Sequence, residues 1–317
     1  MTAASAEPEA AGAGSGAASG NVEALLEISK LELHVGGLRI LNELELSFPA
    51  GSAATIIGPN GAGKTSLFNV VSGAVRPGGG DVRLAGRSVV GLRPHQIANL
   101  GIARTFQSPR LFWNMSIADN VRSATYGTTR AMLWQSAFKT PRARREERAV
   151  TETVEEVLSI FGPRLRGFRL GQPAYVLSYA NRRRLEIARA MATRPRLLLL
   201  DEPTAGMNPQ ETLETIELLA ELRRHYSLTL LVVEHDMEVV RGLSERVIAL
   251  DHGTVVADGS FDIVVSHPTV IEAYLGRPPG DAAPGTPGGP GGPGGAGGPS
   301  TLGGPGGPGA GSAGEEG

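Results

Sequence analysis

The 317-residue chain contains no cysteine, which excludes disulfide bonds, thiolate zinc sites and thiol nucleophiles from its chemistry. It has no stretch approaching the ~18 consecutive apolar residues that a membrane-spanning helix needs. No Lys or Arg precedes Lys30 and no apolar segment lies in that region, so the pattern of a secretory signal is missing. A formal net charge of −2 gives no general attraction to nucleic acid. These absences favour a cytoplasmic protein that does not cross a membrane.

Both ends of the chain are poor in apolar side chains. Residues 1–22 are mostly Ala, Gly, Ser and Glu, and residues 277–317 are mostly Gly, Pro and Ala. Ordering such segments costs roughly 1–2 kcal/mol per residue in backbone entropy, with little apolar burial to offset it. The GGP triplets of the tail resemble collagen, but the run is short and interrupted. We therefore expect disorder at both ends and one folded domain over residues 23–276.

The sequence between these ends alternates between strand and helix patterns. Strands are predicted at residues 25–35, 41–48, 53–57, 197–200, 228–233 and 247–250, with a short hairpin around residues 82–90. Helices are predicted at residues 66–73, 209–224 and 237–243. Strands that alternate with helices indicate an α/β fold with a parallel sheet.

The pattern becomes mainly helical over residues 115–192. Apolar residues recur there at helical spacing, as in Val150, Val154, Val157, Leu158 and Phe161. We predict a helical lobe inserted into the α/β core. The arginines of residues 142–148 are expected to form a solvated helix face, with contact to anionic lipid or a membrane partner as the alternative.

A glycine-rich sequence lies between a predicted strand and a predicted helix. It reads Gly58-Pro59-Asn60-Gly61-Ala62-Gly63-Lys64-Thr65, continues into Ser66, and matches the P-loop pattern G-x-x-x-x-G-K-S/T. Glycines let backbone N–H groups turn towards phosphate oxygens, and the N-terminus of the next helix attracts the same anion. The pattern assigns Lys64 to the β- and γ-phosphates and the Thr65 hydroxyl to Mg²⁺. A purely structural turn is the alternative.

Two adjacent carboxylates, Asp201 and Glu202, follow the apolar run at residues 197–200. Carboxylates at the end of a buried strand are costly unless a cation pairs with them. We expect Asp201 to hold Mg²⁺ through water. Glu202 is the expected general base for an attacking water, a role worth ~10²–10⁴ in rate. A cap for the following helix is the alternative.

Four further motifs accompany the P-loop and the acidic pair. They are Arg104-Thr105-Phe106-Gln107, Leu177-Ser178-Tyr179-Ala180-Asn181, Ala205-Gly206-Met207-Asn208 and Val233-Glu234-His235. In this order, the six motifs resemble those of the ABC transporter ATPase family, and the resemblance covers residues 27–276. It places Gln107 in the Q-loop, Ser178 in the signature sequence, Asn208 in the D-loop and His235 at the switch histidine.

The resemblance implies a P-loop NTPase (RecA-like) core with a parallel sheet, an N-terminal antiparallel β subdomain and an inserted helical subdomain. It implies ATP hydrolysis with ATP and Mg²⁺ bound, and a Gln107 side chain that senses the metal and the γ-phosphate. The implied catalytic residues are Lys64, Glu202 and His235, and the implied metal-site residues are Thr65, Gln107 and Asp201.

Partners are implied in the same way. Two ATPase domains of this family meet head to tail, so Ser178 and Ala180 are expected to contact the nucleotide on the P-loop of a second ABC ATPase subunit. Transmembrane permease subunits are the other expected partners, a solute-binding protein is an indirect one, and no nucleic acid is expected. The chain is then placed peripherally on the cytoplasmic face of the cell membrane.

Within this family the chain resembles the larger ATPase of branched-chain amino-acid importers. The cues include Gly101-Ile102-Ala103-Arg104-Thr105-Phe106-Gln107, Glu234-His235-Asp236-Met237 and Ile271-Glu272-Ala273-Tyr274-Leu275-Gly276, and residues 133–148 resemble the extra helical insertion of that subgroup. Importers of urea or short amides and ATPases of lipid exporters share much of this pattern and are the alternatives.

The chain departs from the family pattern at several positions. Val35 occupies the position of the aromatic residue that stacks on adenine, so we expect ATP binding to be weaker by several-fold. Ala180 replaces a glycine of the signature, and its methyl group is expected to crowd the opposite γ-phosphate. Asn181 and Asn208 replace the usual Gln and Asp.

Other functional classes stay open as alternatives. The altered signature also suits a nucleotide-binding regulator in a heterodimer, although Glu202 and His235 are intact. Soluble ABC ATPases of translation or DNA repair usually carry two cassettes or a long coiled coil, and this chain has neither. No N-K-x-D motif supports a GTPase. Phe112 and Trp113, just after Gln107, are expected either in a permease groove or in the core.

Overall fold

The computed structural model describes residues 24–125 and 141–275. The expected disordered segments, residues 1–22 and 277–317, lie outside these ranges, as does half of the insertion expected at residues 133–148. Within the described ranges no helix is long and apolar enough to span a bilayer. The predicted domain at residues 23–276 is covered almost completely.

The strands of the described residues form two sheets. In chain order they are β1 (Ala24–Val35), β2 (Leu38–Pro49), β3 (Ala53–Ile57), β4 (Gly79–Leu84), β5 (Arg87–Ser88), β6 (Ile102–Arg104), β7 (Leu197–Asp201), β8 (Thr229–Val233), β9 (Arg246–Asp251) and β10 (Thr254–Gly259). The first sheet has the order β2-β1-β4-β5, and the second has the order β10-β9-β3-β8-β7-β6.

The helices of the same residues flank the second sheet or form a separate lobe. They are α1 (Lys64–Val71), α2 (Pro94–Leu100), α3 (Ile117–Thr125), α4 (Pro141–Ile160), α5 (Tyr179–Met191), α6 (Pro209–Tyr226), α7 (Met237–Leu243), α8 (Phe261–Val265) and α9 (Pro268–Leu275). Short 3₁₀ turns lie at Gly162–Arg164, Gly167–Gly171 and Ala174–Val176.

The first sheet is antiparallel, as the family resemblance implied. Its β1 strand does not alternate regularly along its length, because Lys30 adopts a left-handed φ of 46° and the register with β2 shifts between Ile28 and Leu31. Gly80 of β4 lies against this bulge, and a Cβ there would meet the Lys30 carbonyl oxygen at 2.2 Å. Glycine on β4 therefore allows the neighbouring strand to bend.

The second sheet confirms the predicted parallel core. Strands β3, β6, β7, β8 and β9 run parallel, and only β10 is antiparallel among the strands described for this sheet. Every residue of β7 is buried, as its unbroken apolar run predicts. Two edge strands, β6 and β10, were not predicted. With three residues, β6 is too short to carry a periodic pattern.

The helices of the core start close to their predicted positions. α1 begins at Lys64 rather than at residue 66, since Gly63 with φ 100° supplies the turn into it. α6 has a capping box: the Asn208 side chain accepts a hydrogen bond from Glu211 N at 2.9 Å, and Asn208 N donates to the Glu211 carboxylate at 3.2 Å. The residue that departs from the family pattern at 208 thus caps this helix.

A helical lobe lies between β6 and β7 in the sequence, as predicted. Apolar residues at helical spacing on α4 pack against α3 and α5, and Val154, Val157, Leu158 and Phe161 belong to this core. Arg144, Arg145 and Arg148 are exposed, which agrees with the solvated helix face expected there.

Candidate functional site

The glycine-rich loop connects β3 to α1 and is pressed against two other strands. A Cβ at Gly58, where φ is 148°, would lie 2.2 Å from the carbonyl oxygen of Leu250 in β9. A Cβ at Gly63 would lie 3.0 Å from the carbonyl oxygen of Ile40 in β2. Only glycine fits both positions, so the loop follows a path that side chains would block.

Lys64 holds the curled loop together from inside. Its Nζ donates hydrogen bonds to the carbonyl oxygens of Gly58 at 2.6 Å and Pro59 at 2.9 Å. Burial lowers the pKa of the Lys64 ammonium, and the carboxylates of Glu202 and Asp201 act in the opposite direction. The predicted lysine and the predicted acidic pair therefore share one electrostatic environment.

The loop has the chemistry of an anion cradle. α1 begins at Lys64, so the N–H groups of Lys64, Thr65 and Ser66 have no partner within the helix and point out of its N-terminus. The ammonium of Lys64 lies over the loop that leads to them. Backbone donors, a helix N-terminus and one cation are what phosphate groups require. These residues fit a polyphosphate.

Asp201 lies at the carboxyl end of β7 beside Arg104, which was not among the predicted site residues. Arg104 Nη2 lies 3.4 Å from Asp201 Oδ2, and both side chains are less than a tenth exposed. Burial raises the pKa of Asp201, and the Arg104 charge and hydrogen bond oppose this rise. Arg104 thus supplies a cation beside this buried acid.

Arg104 also links this acid to α1. Its Nη1 donates to Asn69 Oδ1 at 2.7 Å and to Ser72 Oγ at 3.1 Å. It is the last residue of β6, which lies next to β7 in the sheet. The only feature of the sequence that could have indicated a role for Arg104 is its place in the motif Arg104-Thr105-Phe106-Gln107.

The predicted base and the predicted switch histidine come together at the ends of two neighbouring strands. His235 Nδ1 lies 3.7 Å from Glu202 Oε1, with Glu202 following β7 and His235 following β8. The Glu202 side chain is 25 % exposed and the His235 side chain is 61 % exposed. A water molecule can therefore reach both groups, as a hydrolytic site requires.

Gln107 follows β6 at the same edge of the sheet and is exposed. The carboxyl ends of parallel strands β3, β6, β7 and β8 therefore bring together the P-loop, Gln107, the acidic pair and His235. This is the edge at which α/β proteins bind ligands.

Ser178 and Ala180 belong to the helical lobe rather than to this edge. Ser178 is the exposed N-cap of α5, and its hydroxyl accepts a hydrogen bond from Asn181 N at 3.4 Å. Ala180 is 2 % exposed, so its methyl group packs inside the chain. This burial does not support the expectation that the methyl group crowds a phosphate of a facing subunit.

Val35 ends β1 at the tip of a hairpin. It pairs with Leu38 across Gly36 and Gly37, and the two aliphatic side chains are 55 % and 70 % exposed. The position expected for a stacking aromatic is thus accessible from solvent, and an aliphatic side chain occupies it.

Comparisons with known proteins agree with this geometry. A family model described as ABC transporter matches residues 41–205, and one described as branched-chain amino acid ATP-binding cassette transporter matches residues 254–278. The chain is 42 % identical over 258 residues to a high-affinity branched-chain amino acid transport ATP-binding protein of Pseudomonas aeruginosa, covering 80 % of this chain and 98 % of the relative. It is 40 % identical over 253 residues to the Escherichia coli K12 protein of that description, with coverage of 80 % and 98 %.

Solved structures give the same picture. An ATP-binding cassette of an ABC transporter in its ADP conformation superposes with a TM-score of 0.68 at 27 % identity, covering 80 % of this chain and 99 % of that one. A nucleotide-free ATP-binding cassette from an ABC transporter superposes with a TM-score of 0.66 at 25 % identity, covering 80 % and 100 %.

Proposed function

Because this chain belongs to the ABC transporter family of ATP-binding subunits and hydrolyses ATP to energise import, we propose that the imported solutes are branched-chain amino acids. The observation that carries the proposal is the 40–42 % identity to transport ATP-binding proteins of that specificity over 98 % of their length. The match of residues 254–278 to the family model for branched-chain amino acid cassettes supports it independently of the shared ATPase motifs.

ATP binding is proposed at the anion cradle. The backbone of residues 58–66 and the Lys64 ammonium would hold the phosphates, which the position of the half-buried ammonium and the α1 N-terminus support. Mg²⁺ would be held by Thr65, Asp201 and Gln107, directly or through water, because it prefers oxygen ligands. When bound, it would neutralise charge on the phosphate oxygens.

Glu202 is proposed as the general base and His235 as the residue that orients it. The 3.7 Å separation of His235 Nδ1 and Glu202 Oε1 supports this pairing. Glu202 adopts a left-handed φ of 48°, and its N–H donates to the Val233 carbonyl oxygen at 2.9 Å, which fixes the backbone of the base against β8. A water beside this carboxylate can transfer a proton to Glu202 as the water oxygen bonds to the γ-phosphorus; the bond from that phosphorus to the bridging oxygen then breaks, and ADP leaves.

Subunits of this family dimerise and act with transmembrane permeases. The exposed Ser178 at the N-terminus of α5 is proposed to meet the nucleotide of a second ATPase subunit, with Ala180 contributing backbone rather than its buried methyl group. Val35 is proposed to lie against the adenine of this chain's own nucleotide.

Permease docking is proposed beside Gln107, on the cytoplasmic face of the cell membrane. Phe112, Trp113 and Met115 are 39–50 % exposed, so the alternative of core packing for Phe112 and Trp113 was wrong. A cavity of about 670 Å³ opens between α2, β6 and α5, and its lining includes Phe106 and Arg110. Exposed aromatic side chains next to a cavity suit a helix of a permease subunit. A solute-binding protein would act through that permease.

The test is uptake of labelled leucine in cells that lack the protein, complemented with wild type, Lys64→Ala or Glu202→Gln. We expect uptake only with wild type, and Lys30→Ala, at an exposed lysine outside the site, is the matched control. Unlabelled urea and a short amide serve as competitors. Leucine uptake that survives Glu202→Gln would favour a regulatory subunit. Leucine uptake that does not depend on the protein would contradict the proposed substrate and would favour urea, a short amide or an exported lipid instead.

A further inference from the structure

Several side chains on one face of α5 contact the same loop. The loop follows β6 and comprises residues 106–113, and we name it the Gln107 segment. The spacing of the contacting α5 residues places their side chains on one face of the helix. These residues are Arg182, Arg183, Glu186 and Arg189. α5 is also the helix that begins at the signature serine, Ser178.

Arg183 holds the start of the Gln107 segment through its backbone. Its Nη1 donates to the Phe106 carbonyl oxygen at 2.5 Å, and its Nη2 donates to the Gln107 carbonyl oxygen. The Arg183 side chain is 2 % exposed, so water does not compete for these hydrogen bonds. A guanidinium fork is rigid and can bond two carbonyl groups at once, which a lysine ammonium does with far less geometric definition.

Glu186, one turn further along α5, accepts from the same segment. Its Oε1 accepts a hydrogen bond from Phe106 N at 3.1 Å, and its Oε2 lies 3.5 Å from Arg183 Nη1. The N–H and carbonyl groups of Phe106 and the carbonyl group of Gln107 are therefore all bound to one turn of α5.

The far end of the segment is attached to the same helix. Arg189 donates to the Arg110 carbonyl oxygen, and its guanidinium lies 5.0 Å from the centroid of the Phe112 ring. The guanidinium of Arg182 lies 5.0 Å from the Trp113 ring. The exposed rings of Phe112 and Trp113 thus each lie against a guanidinium group of α5, and this cation–π contact restricts the position of the ring.

We propose that Arg183 and Glu186 are positioning residues that join the Gln107 segment to α5, so that Gln107 and Ser178 move as one body. This inference rests on the proposed function, in which Gln107 faces one nucleotide and Ser178 faces another. A push on Phe112 or Trp113 by a docked permease would then reach Ser178 through α5 without deforming the loop. Packed side chains and hydrogen bonds that tie a loop to one rigid helix are the kind of physical connection that can carry coupling between two sites.

The chain offers a matched control next to Arg183. Arg184 is also buried, at 3 % exposure, but it faces α6 instead of the Gln107 segment. Its Nη2 lies 2.8 Å from Glu214 Oε2, and its Nη1 donates to Asn181 Oδ1 at 3.0 Å. Arg183→Lys and Arg184→Lys therefore make the same change at neighbouring buried positions, and only the first loosens the Gln107 segment. Glu186→Gln is a second variant should Arg183→Lys fail to fold.

The direct test is a distance distribution between spin labels at Ser108→Cys and Val176→Cys in the full chain. Both positions are exposed, and the natural chain has no cysteine that would add background. We expect a narrow distribution in the wild-type background and with Arg184→Lys, and a clearly broader one with Arg183→Lys and with Glu186→Gln. Equal widths in all four proteins would overturn the inference.

The functional test uses the assembled transporter in proteoliposomes and the stimulation of its ATPase by leucine-loaded solute-binding protein. A coupling between sites is typically a ~5–150-fold effect, so we expect Arg183→Lys and Glu186→Gln to reduce the stimulation at least ~5-fold and Arg184→Lys to preserve it. Equal losses with Arg183→Lys and Arg184→Lys would mean a merely structural role. If wild type itself hydrolyses ATP without leucine uptake, the proposed substrate fails, while the label distances still test the inference.

Discussion

The buried carboxylate of Glu234 accepts two hydrogen bonds from Thr204, at 3.2 Å from the backbone N–H and 2.5 Å from the hydroxyl. Its other oxygen accepts from His235 N at 3.1 Å, and Glu234 is 1 % exposed. Thr204 lies two residues after Glu202, while Glu234 and His235 follow β8. Glu234 therefore fixes the backbone of His235 relative to that of Glu202, the proposed general base.

The Thr204 hydroxyl should support both stability and turnover. Thr204→Val removes one donor to a buried carboxylate, and such losses cost about 1–3 kcal/mol in unfolding free energy. Because His235 would lose its fixed distance to Glu202, we expect kcat for ATP to fall more than KM changes. Denaturant titration and steady-state ATPase assays of the assembled transporter check this. Thr204→Ser keeps the hydroxyl and should behave almost like wild type; equal kcat in wild type and Thr204→Val would contradict the prediction.

Arg104 should stabilise the chain most when nucleotide is absent. Arg104→Met leaves the Asp201 carboxylate buried without its cation, and breaking a buried pair costs about 3–5 kcal/mol. At the proposed metal site, saturating ATP with Mg²⁺ would supply another cation beside Asp201, so the loss should become smaller. The measurement is the denaturation midpoint with and without Mg·ATP. Arg104→Lys retains the charge and should lose less. A loss that is the same in both conditions would show that Arg104 acts only on α1.

Features that depend on neighbouring residues could be predicted from the sequence, whereas contacts between residues distant in the sequence could not. The P-loop, β7 and the helix that became α6 were predicted because each depends on residues that are adjacent or a few helical turns apart. Arg104 and Asp201 are 97 positions apart, and Thr204 and Glu234 are 30 apart, so no local pattern relates them. Their pairing follows from the order β8-β7-β6 in the sheet, which periodicity does not determine.

Local irregularities were missed for a related reason. The bulge at Lys30 depends on the close approach of Gly80 from another strand. The burial of Arg183 and Glu186 could not be predicted from residue type, since charged side chains usually face solvent. Both residues lie on α5 just after the signature motif, and the position of the Gln107 segment explains why they are buried.

Glu186 should give the unfolding free energy a defined pH dependence. Burial raises the pKa of this carboxyl above its ordinary value of 4.5 in the folded chain. The folded state therefore holds the proton to higher pH than the unfolded state, and stability is lost as pH rises from about 4.5 through the folded pKa. The slope for one proton is at most about 1.4 kcal/mol per pH unit. Urea denaturation over this pH range should show that the unfolding free energy of Glu186→Gln lacks the decrease with rising pH that is assigned to Glu186. The same pH dependence of the unfolding free energy in wild type and Glu186→Gln would contradict the prediction.

Restoring an aromatic side chain at position 35 should tighten ATP binding. Val35 is exposed at the hairpin tip, so Val35→Tyr adds a ring without disturbing the core. Aromatic stacking contributes about 0.5–1.5 kcal/mol, which corresponds to roughly 2–10-fold in the Kd for ATP. Titration with a fluorescent ATP analogue measures this change. Leu38→Tyr places the same ring on the cross-strand neighbour and should leave the Kd unchanged. If Leu38→Tyr tightens binding and Val35→Tyr does not, then adenine lies against β2 rather than against the end of β1.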